Sequence, residues 1–420
     1  MGSIKSQDAE TALPHSKREG SIWTERGSKN YLVTSFAMFL VGFITFSLLY
    51  CVQPILPELT HYFHVSVTES SFAISLTTGF LAISIFCSGA TAESLGRKGI
   101  MFFSMASASF MNIFAAFLPS WDVFLIARAF EGFVLGGVPA VAMAYLSEEI
   151  HPKNLGYAMG IYVGGTAFGG MFGRVAVGIL TEFTTWQIAL GILGSVDLLA
   201  AIVFGLCLPD SKNFIKNARF DIKYHANAWS QHITRSGMFL LFAIGGLAVG
   251  SFITIFNYID FRLAIPPFSL SSSQISFIFL SYISGMVASP TAGSWSDKVG
   301  RGPVMIAGLA IMVSGMWLTL NNHLPFMVIG VFIFTTGFFT IHSIASGWVG
   351  QLALQNKGHA TSLYLLCYYM GSSIFGSLGG IFWTSGGWPR LIAYTSCLLA
   401  IAAILATILI RRNITTAKQP

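Results

Sequence analysis

The feature that most constrains this chain is a recurrence of apolar runs of about 20 residues, separated by short polar stretches. A run of that length crosses the hydrocarbon of a bilayer as an α-helix, which satisfies its own backbone N–H and C=O groups where no water can. Twelve such runs can be marked, at roughly 31–56, 70–92, 99–118, 122–147, 157–181, 186–208, 236–259, 274–294, 303–321, 325–350, 358–383 and 388–410. Only 10% of the residues are charged, against about 25% in soluble domains. The expected fold is therefore an all-α membrane protein with the lipid bilayer as its solvent.

Charge placement gives the expected orientation. The net charge is +6, yet 19 of the 23 Lys and Arg fall in the two terminal tails and in alternate loops. Such a bias marks the cytoplasmic side, so both termini are expected there, and nucleic acid is not an expected partner. Arg262 and Arg390 lie near the opposite face, and Arg128 and Arg174 lie inside apolar runs. The longest polar connection, residues 209–235, separates six runs from six. The organisation expected is a disordered cytoplasmic tail over 1–29, a six-helix half over 30–208, a cytoplasmic linker over 209–235, a second half over 236–410 and a tail over 411–420.

The halves repeat one another. "GATAESLGRK" follows the second run and "GSWSDKVGRG" the eighth, so that Gly89, Glu93, Gly96 and Arg97 match Gly293, Asp297, Gly300 and Arg301. "GTAFGGMFGR" in the fifth run matches "GSSIFGSLGG" in the eleventh, pairing Gly165, Gly170 and Gly173 with Gly371, Gly376 and Gly379. The next position is Arg174 in the first copy and Gly380 in the second. Together with Gly169, these glycines are expected to let helices pack closely, and the ancestral residue at the Arg174 position is expected to be small.

Six plus six helices with G-x-x-x-(D/E)-x-x-G-R after the second and eighth resembles the major facilitator superfamily, over residues 31–410. Against the family pattern G-x-L-A-D-R-x-G-R-K, Glu93 replaces Asp and Thr91 replaces Leu. "FLIARAFEGF" is similar to the family's motif in the fourth helix. Gly165, Gly169 and Gly173 are similar to its antiporter motif, in which Gly170 stands for Pro and Arg174 for the last Gly. "LLYCVQPILPEL", "YLSEEIHP" and "SLYLLCYYMGSS" resemble the YnfM-type branch of bacterial transporters, grouped with drug:proton antiporters. The resemblance implies a multi-pass protein of the bacterial plasma membrane that works by alternating access. It also implies a cytoplasmic latch in which the loop acid caps a facing helix and pairs with the motif Arg. Glu93 and Arg97 near Glu148 or Glu149 would form one latch, and Asp297 with Arg301 the other.

The remaining polar residues are candidates for cargo and protons. Ionisable groups at bilayer depth cost at least ~2.5 kcal/mol, so they face a cavity or a partner. Arg128 and Glu131 share one helical face, and with Asp197 they form the candidate proton-coupling set; a permanent ion pair is the plainer reading of Arg128 and Glu131. In the second half His342 is the ionisable residue set deep in a helix. Tyr50, Gln53, Asn257, Tyr258, Tyr364 and Tyr368 would line a wet aromatic cavity with it, or else pack at an interface. Arg174 lies about 10 Å beneath Glu182, as a structural charge, a cargo contact or a snorkelling cation. No nucleotide-binding loop, metal-ligand spacing or nucleophile–base set is present, so no cofactor and no enzymatic activity are expected. A monomer exporting a small drug-like or metabolite molecule in exchange for protons is the leading expectation. Proton symport or passive uptake of a sugar or metabolite, and a non-transporting membrane sensor, are the alternatives.

Overall fold

The computed structural model describes residues 23–213, 222–353 and 356–416, with the side chains of residues 86–95, 152, 222, 224, 225, 236, 357 and 413–416 outside the description. Nine helical stretches among the described residues are long and apolar enough to cross a membrane. The last of them, Lys357–Thr416, is two helices joined through non-helical Gly386 and Gly387. The 24-residue helix Phe72–Leu95 and the 19-residue helix Arg97–Ala115 complete twelve. In chain order they are α1 (Lys29–Tyr50), α2 (Phe72–Leu95), α3 (Arg97–Ala115), α4 (Trp121–Glu149), α5 (Pro152–Phe183) and α6 (Trp186–Cys207) in the first half. The second half holds α7 (Ser236–Ala264), α8 (Ser272–Val299), α9 (Arg301–Leu318), α10 (Leu324–Leu352), α11 (357–385) and α12 (388–416).

The repeat is visible in the backbone. Gly96 and Gly300 sit at equivalent turns, α2 to α3 and α8 to α9, with φ of 83° and 86°. That left-handed region is open to glycine and strained for other residues, which is why both copies of the loop motif keep glycine there. The other repeated glycines act by size. A Cβ on Gly165, Gly169 or Gly173 would lie 2.3, 2.1 or 2.7 Å from the carbonyl oxygens of Phe39, Phe43 and Ser47, so α5 lies directly on the α1 backbone. In the second half Gly371 meets Gly246 of α7 in the same way.

One face of the molecule gathers the start of the described chain, the end of α12 and the described parts of the linker, and it is called the basic face below. Thr24 donates its N–H to Glu149 O at 2.8 Å, at the end of α4. Arg235 Nη1 reaches Leu352 O at 2.7 Å, and a Cβ on Gly302 at the start of α9 would meet Ile410 of α12. Two expectations change here. The tail is ordered from Trp23 rather than from residue 30, because Trp23 packs on His151 and Arg26 lies 4.4 Å over the Tyr157 ring; residues 1–22 are outside the description. The linker holds a helix, Ile222–Thr234, whose His232 meets Asn356 O at 3.2 Å.

Candidate functional site

The site begins where α1 stops. Its last turn leaves backbone carbonyls without helical donors, as every helix end does. Arg128 of α4 supplies them: Nη2 donates to Leu48 O at 3.3 Å and to Leu49 O at 3.2 Å, and Nε to Ala73 O of α2 at 3.3 Å. A cation at a helix C-terminus also meets the negative end of the dipole. Nη1 donates to Glu131 Oε2 at 2.5 Å, and both side chains are fully buried. On the same wall Ser47 Oγ donates to Asp197 Oδ2 at 3.0 Å. Asp197 Oδ1 and Glu131 Oε1 are buried without hydrogen-bond partners. The expected set Arg128, Glu131 and Asp197 is thus brought together, around Cys51. It lies behind α1, however, and none of the three lines the cavity.

The cavity, of about 310 Å³, lies between the halves on the other side of α1. Tyr50, Arg174, His342, Tyr364 and Tyr368 line it, as the sequence reading expects. His342 Nδ1 is 3.0 Å from Tyr364 Oη, and its ring centroid is 4.8 Å from that of Tyr368. Further walls come from Phe252, Tyr282, Phe338 and Tyr369, which single-sequence reading passes over because nothing separates them from core aromatics. Met143, Ser346 and Thr361 also line it. They lie within about two turns of the helix ends on the basic face, so the cavity extends toward that face.

The far face is shut by bonds between the halves. Gln53 Nε2 donates to Asn257 Oδ1 at 2.7 Å, and Ser373 Oγ to Ser75 O at 2.7 Å. Ser272 Oγ donates to Glu58 Oε1 at 2.7 Å, and Ser271 Oγ and the Ser273 N–H to Glu182 Oε2 at 2.9 and 3.1 Å. Gln53 and Asn257, expected in the cavity, therefore close it instead. Tyr258, also expected there, stacks on Trp383 and donates to Ser377 O at 3.4 Å.

Several expectations about glycines and latches change in the structure. Gly170 is not a packing glycine: it lines the cavity and its carbonyl accepts from Arg174 Nη1 at 2.5 Å. Gly380 does not serve packing within its own half, since its Cβ would meet Thr68 of the first half at 2.4–2.7 Å. Gly376 is a looser contact, with Ile253 at 3.2 Å, and Gly379 packs on Thr254 and Tyr258. For the latch, Gly89 and Glu93 fall among residues 86–95, outside the described side chains. Arg97 pairs with Glu148 at 2.8 Å, but both belong to the first half, and the pair stands while the cavity reaches toward the basic face. This pair braces the α2–α3 turn against α4 within the first half. Glu149 instead accepts from Ser211 Oγ and from the N–H groups of Lys212 and Asn213 at 2.6–2.9 Å, holding the linker. Asp297 and Arg301 are not among the ion pairs of the described residues. Arg301 donates to Gly347 O at 3.0 Å, since the end of α10 offers a carbonyl where α4 offers Glu148. Gly293 has open space around its Cβ position.

One buried acid escapes the sequence reading. Asp260 of α7 is fully buried with both oxygens unpartnered, and the charged groups beside it are Glu58 and Arg174. The apolar run stops at residue 259 because Asp260 and Arg262 follow it, yet the helix continues to Ala264.

Comparison with known proteins agrees with this architecture. The family model described as Major Facilitator Superfamily matches residues 38–265 and 247–420. The MFS-type transporter YybF of Bacillus subtilis (strain 168) is 40% identical over 389 residues, covering 93% of this chain and 96% of the relative. The inner membrane transport protein YnfM of Escherichia coli (strain K12) is 41% identical over 388 residues, covering 92% and 93%. Among solved structures, an inward-facing, unoccupied bacterial homologue of the human lysosomal transporter Spinster superposes with a TM-score of 0.74 at 14% identity, covering 92% of this chain and 98% of that one. A mutant of the nucleoside transporter NupG gives 0.72 at 13% identity, covering 90% and 99%.

Proposed function

This chain belongs to the major facilitator superfamily and is a membrane transporter of that type, and on that premise we propose that it exports a small organic compound in exchange for protons. The exchange runs by alternating access, with the two halves rocking about a mid-membrane site. The basic face is cytoplasmic and the membrane is the bacterial plasma membrane. The state described here, shut on the far face, is then the one that takes up cargo from the cytoplasm.

The observation that carries this reading is the wall shared by the acids and the cavity. Ser47, Leu48 and Leu49 are bound by Asp197 and Arg128 on one side, and the next residue, Tyr50, faces cargo on the other. Protonating Glu131 removes its charge from Arg128 and changes the grip of that guanidinium on the end of α1. Proton binding and cavity shape are thereby linked through one helix end. The test is ΔpH-driven counterflow in liposomes, using the compound that most stabilises the purified protein in a screen. Exchange is expected to disappear in the double variant Glu131→Gln with Asp197→Asn. Unchanged ΔpH-driven exchange in that variant rejects the coupling assignment. Transport that ignores an uncoupler in the unmodified protein identifies a passive facilitator.

A further inference from the structure

Arg174 is a buried cation whose own contacts leave it short of an acceptor. It is fully buried, yet it enters none of the ion pairs among the described residues. Nε donates to Gln53 Oε1 at 2.6 Å and Nη1 to Gly170 O at 2.5 Å, while Nη2 is buried with no partner at all. Its Cζ lies 4.4 Å from the ring centroid of Tyr50, 4.8 Å from Tyr282 and 5.3 Å from Phe279. Those π faces soften the charge, but the N–H donors of Nη2 still lack an acceptor. Burying a guanidinium short of an acceptor is unfavourable unless something else supplies one.

The cavity shows where that acceptor comes from. Arg174, Tyr50 and Tyr282 all line it, and among the described lining residues Arg174 is the one permanently charged group. No carboxylate is among those lining residues, so a cationic cargo would meet the charge of Arg174 with no lining acid to offset it. Asp260 is the acid whose field reaches Arg174, and it makes no ion pair with it. Resting on the exporter reading, we infer that Arg174 is the receptor for an anionic group of the cargo, which is an organic anion with an apolar or aromatic body. The carboxylate or similar group takes the free donors of Nη2, and the body lies against Phe252, Phe338 and Tyr368. Arg174 also reaches the far gate, because the Gln53 that it holds is the residue bonded to Asn257 across the halves. An anion on Arg174 competes for the guanidinium that orients Gln53, which connects cargo to closure.

The experiment measures equilibrium binding to the purified protein in lipid nanodiscs, without any gradient, by ligand-dependent thermal-shift titration. The probes are three matched acid and amide pairs: acetate and acetamide, benzoate and benzamide, 2-naphthoate and 2-naphthamide. At least one acid is expected to bind about tenfold or more tighter than its amide, as a charge-assisted contact requires. Arg174→Gln is expected to weaken that acid about tenfold or more and to leave the amide within about twofold; Arg174→Lys, which keeps the charge and loses the fork, falls between. The assignment is overturned if no pair shows an acid preference in the unmodified protein, or if the preference survives Arg174→Gln. Should Arg174→Gln not fold, acid preference kept in Arg174→Lys together with equal acid and amide binding in Arg174→Met supports the assignment, whereas equal preference in both variants overturns it. Because no proton gradient enters, failure here leaves the proton-exchange reading standing, and loss of ΔpH coupling leaves this one.

Discussion

Adding one methyl group at Gly380 should drive the transporter out of the state described here without unfolding it. A Cβ on Gly380 would sit 2.4 Å from Thr68 Oγ1 and 2.7 Å from both Thr68 Cα and Cβ. Ordinary contacts begin near 3.4 Å, so α11 and the short helix Val67–Ser70 that precedes α2 must part by about 1 Å, and the backbone atom cannot rotate away. Overpacking of this kind costs about 1–3 kcal/mol. Thr68 and Gly380 belong to different halves, so that cost falls on the state closed at the far face and is absent once the halves separate there. At about 1.4 kcal/mol per tenfold, Gly380→Ala should move the closed-to-open ratio about 5- to 150-fold toward a far-face-open state. The assay is pulsed dipolar spectroscopy with spin labels at Asp122 and His323, exposed positions at the far-face starts of α4 and α10 in the two halves, in a cysteine-free background. The long-distance population should grow in Gly380→Ala and recede when Thr68→Gly is added. Gly164→Ala, where the new Cβ meets open space, should change nothing. An unaltered distance distribution in Gly380→Ala would falsify the claim that this contact limits closure.

Other expected outcomes follow from the same contacts. Arg128→Ala strands Glu131 and frees the α1 carbonyls, and should cost about 3–5 kcal/mol in thermal unfolding; Arg128→Met with Glu131→Leu should recover most of that stability while transport stays lost. Gly169→Ala places a Cβ 2.1 Å from Phe43 O and should destabilise by about 1–3 kcal/mol, whereas the nearby Gly164→Ala should be neutral or slightly stabilising; unfolding midpoints measured side by side decide. Arg97→Ala removes a pair whose side chains are 14% and 30% exposed, worth no more than about 1 kcal/mol after solvent screening. It should leave the distance between spin labels on the two halves unchanged, and a clear shift would show that Arg97 ties the halves.

What the sequence made legible is what depends on period and composition. Helix number, the six-plus-six division and the turn glycines Gly96 and Gly300 are all encoded locally, as is the shared face of Arg128 and Glu131. What it hid depends on a third body. Arg128 reads as the partner of Glu131, but two of its other partners, Leu48 O and Leu49 O, are carbonyls left free because α1 stops at Tyr50, a break that hydropathy does not record. Gly170 groups in sequence with Gly165, Gly169 and Gly173, yet it is about 100° around the helix from Gly169, enough to face cargo instead of α1. Asp260 is hidden by the acid's own polarity, which ends the apolar run one residue before it.

The repeat position that pairs Arg174 with Gly380 gains its meaning from where the two halves touch. On one side α11 meets the short helix Val67–Ser70, just before α2, through Gly380 and Thr68; on the symmetric side α5 meets the start of α8 through Gly178 and Ser276. There the close approach is made by Gly178, whose Cβ would lie 2.4 Å from Ser276 Cβ, one turn farther out than Arg174. A helix can move its contact point by one turn and keep the same face toward its partner. Because Gly178 carries the contact, the Arg174 level is released from it, and the guanidinium projects among Tyr50, Tyr282 and Phe279. The departure from small to charged therefore falls at a level where the closure on this side does not need a small residue. In exchange it sets a cation between the halves, on one side only, where cargo and gate both reach it.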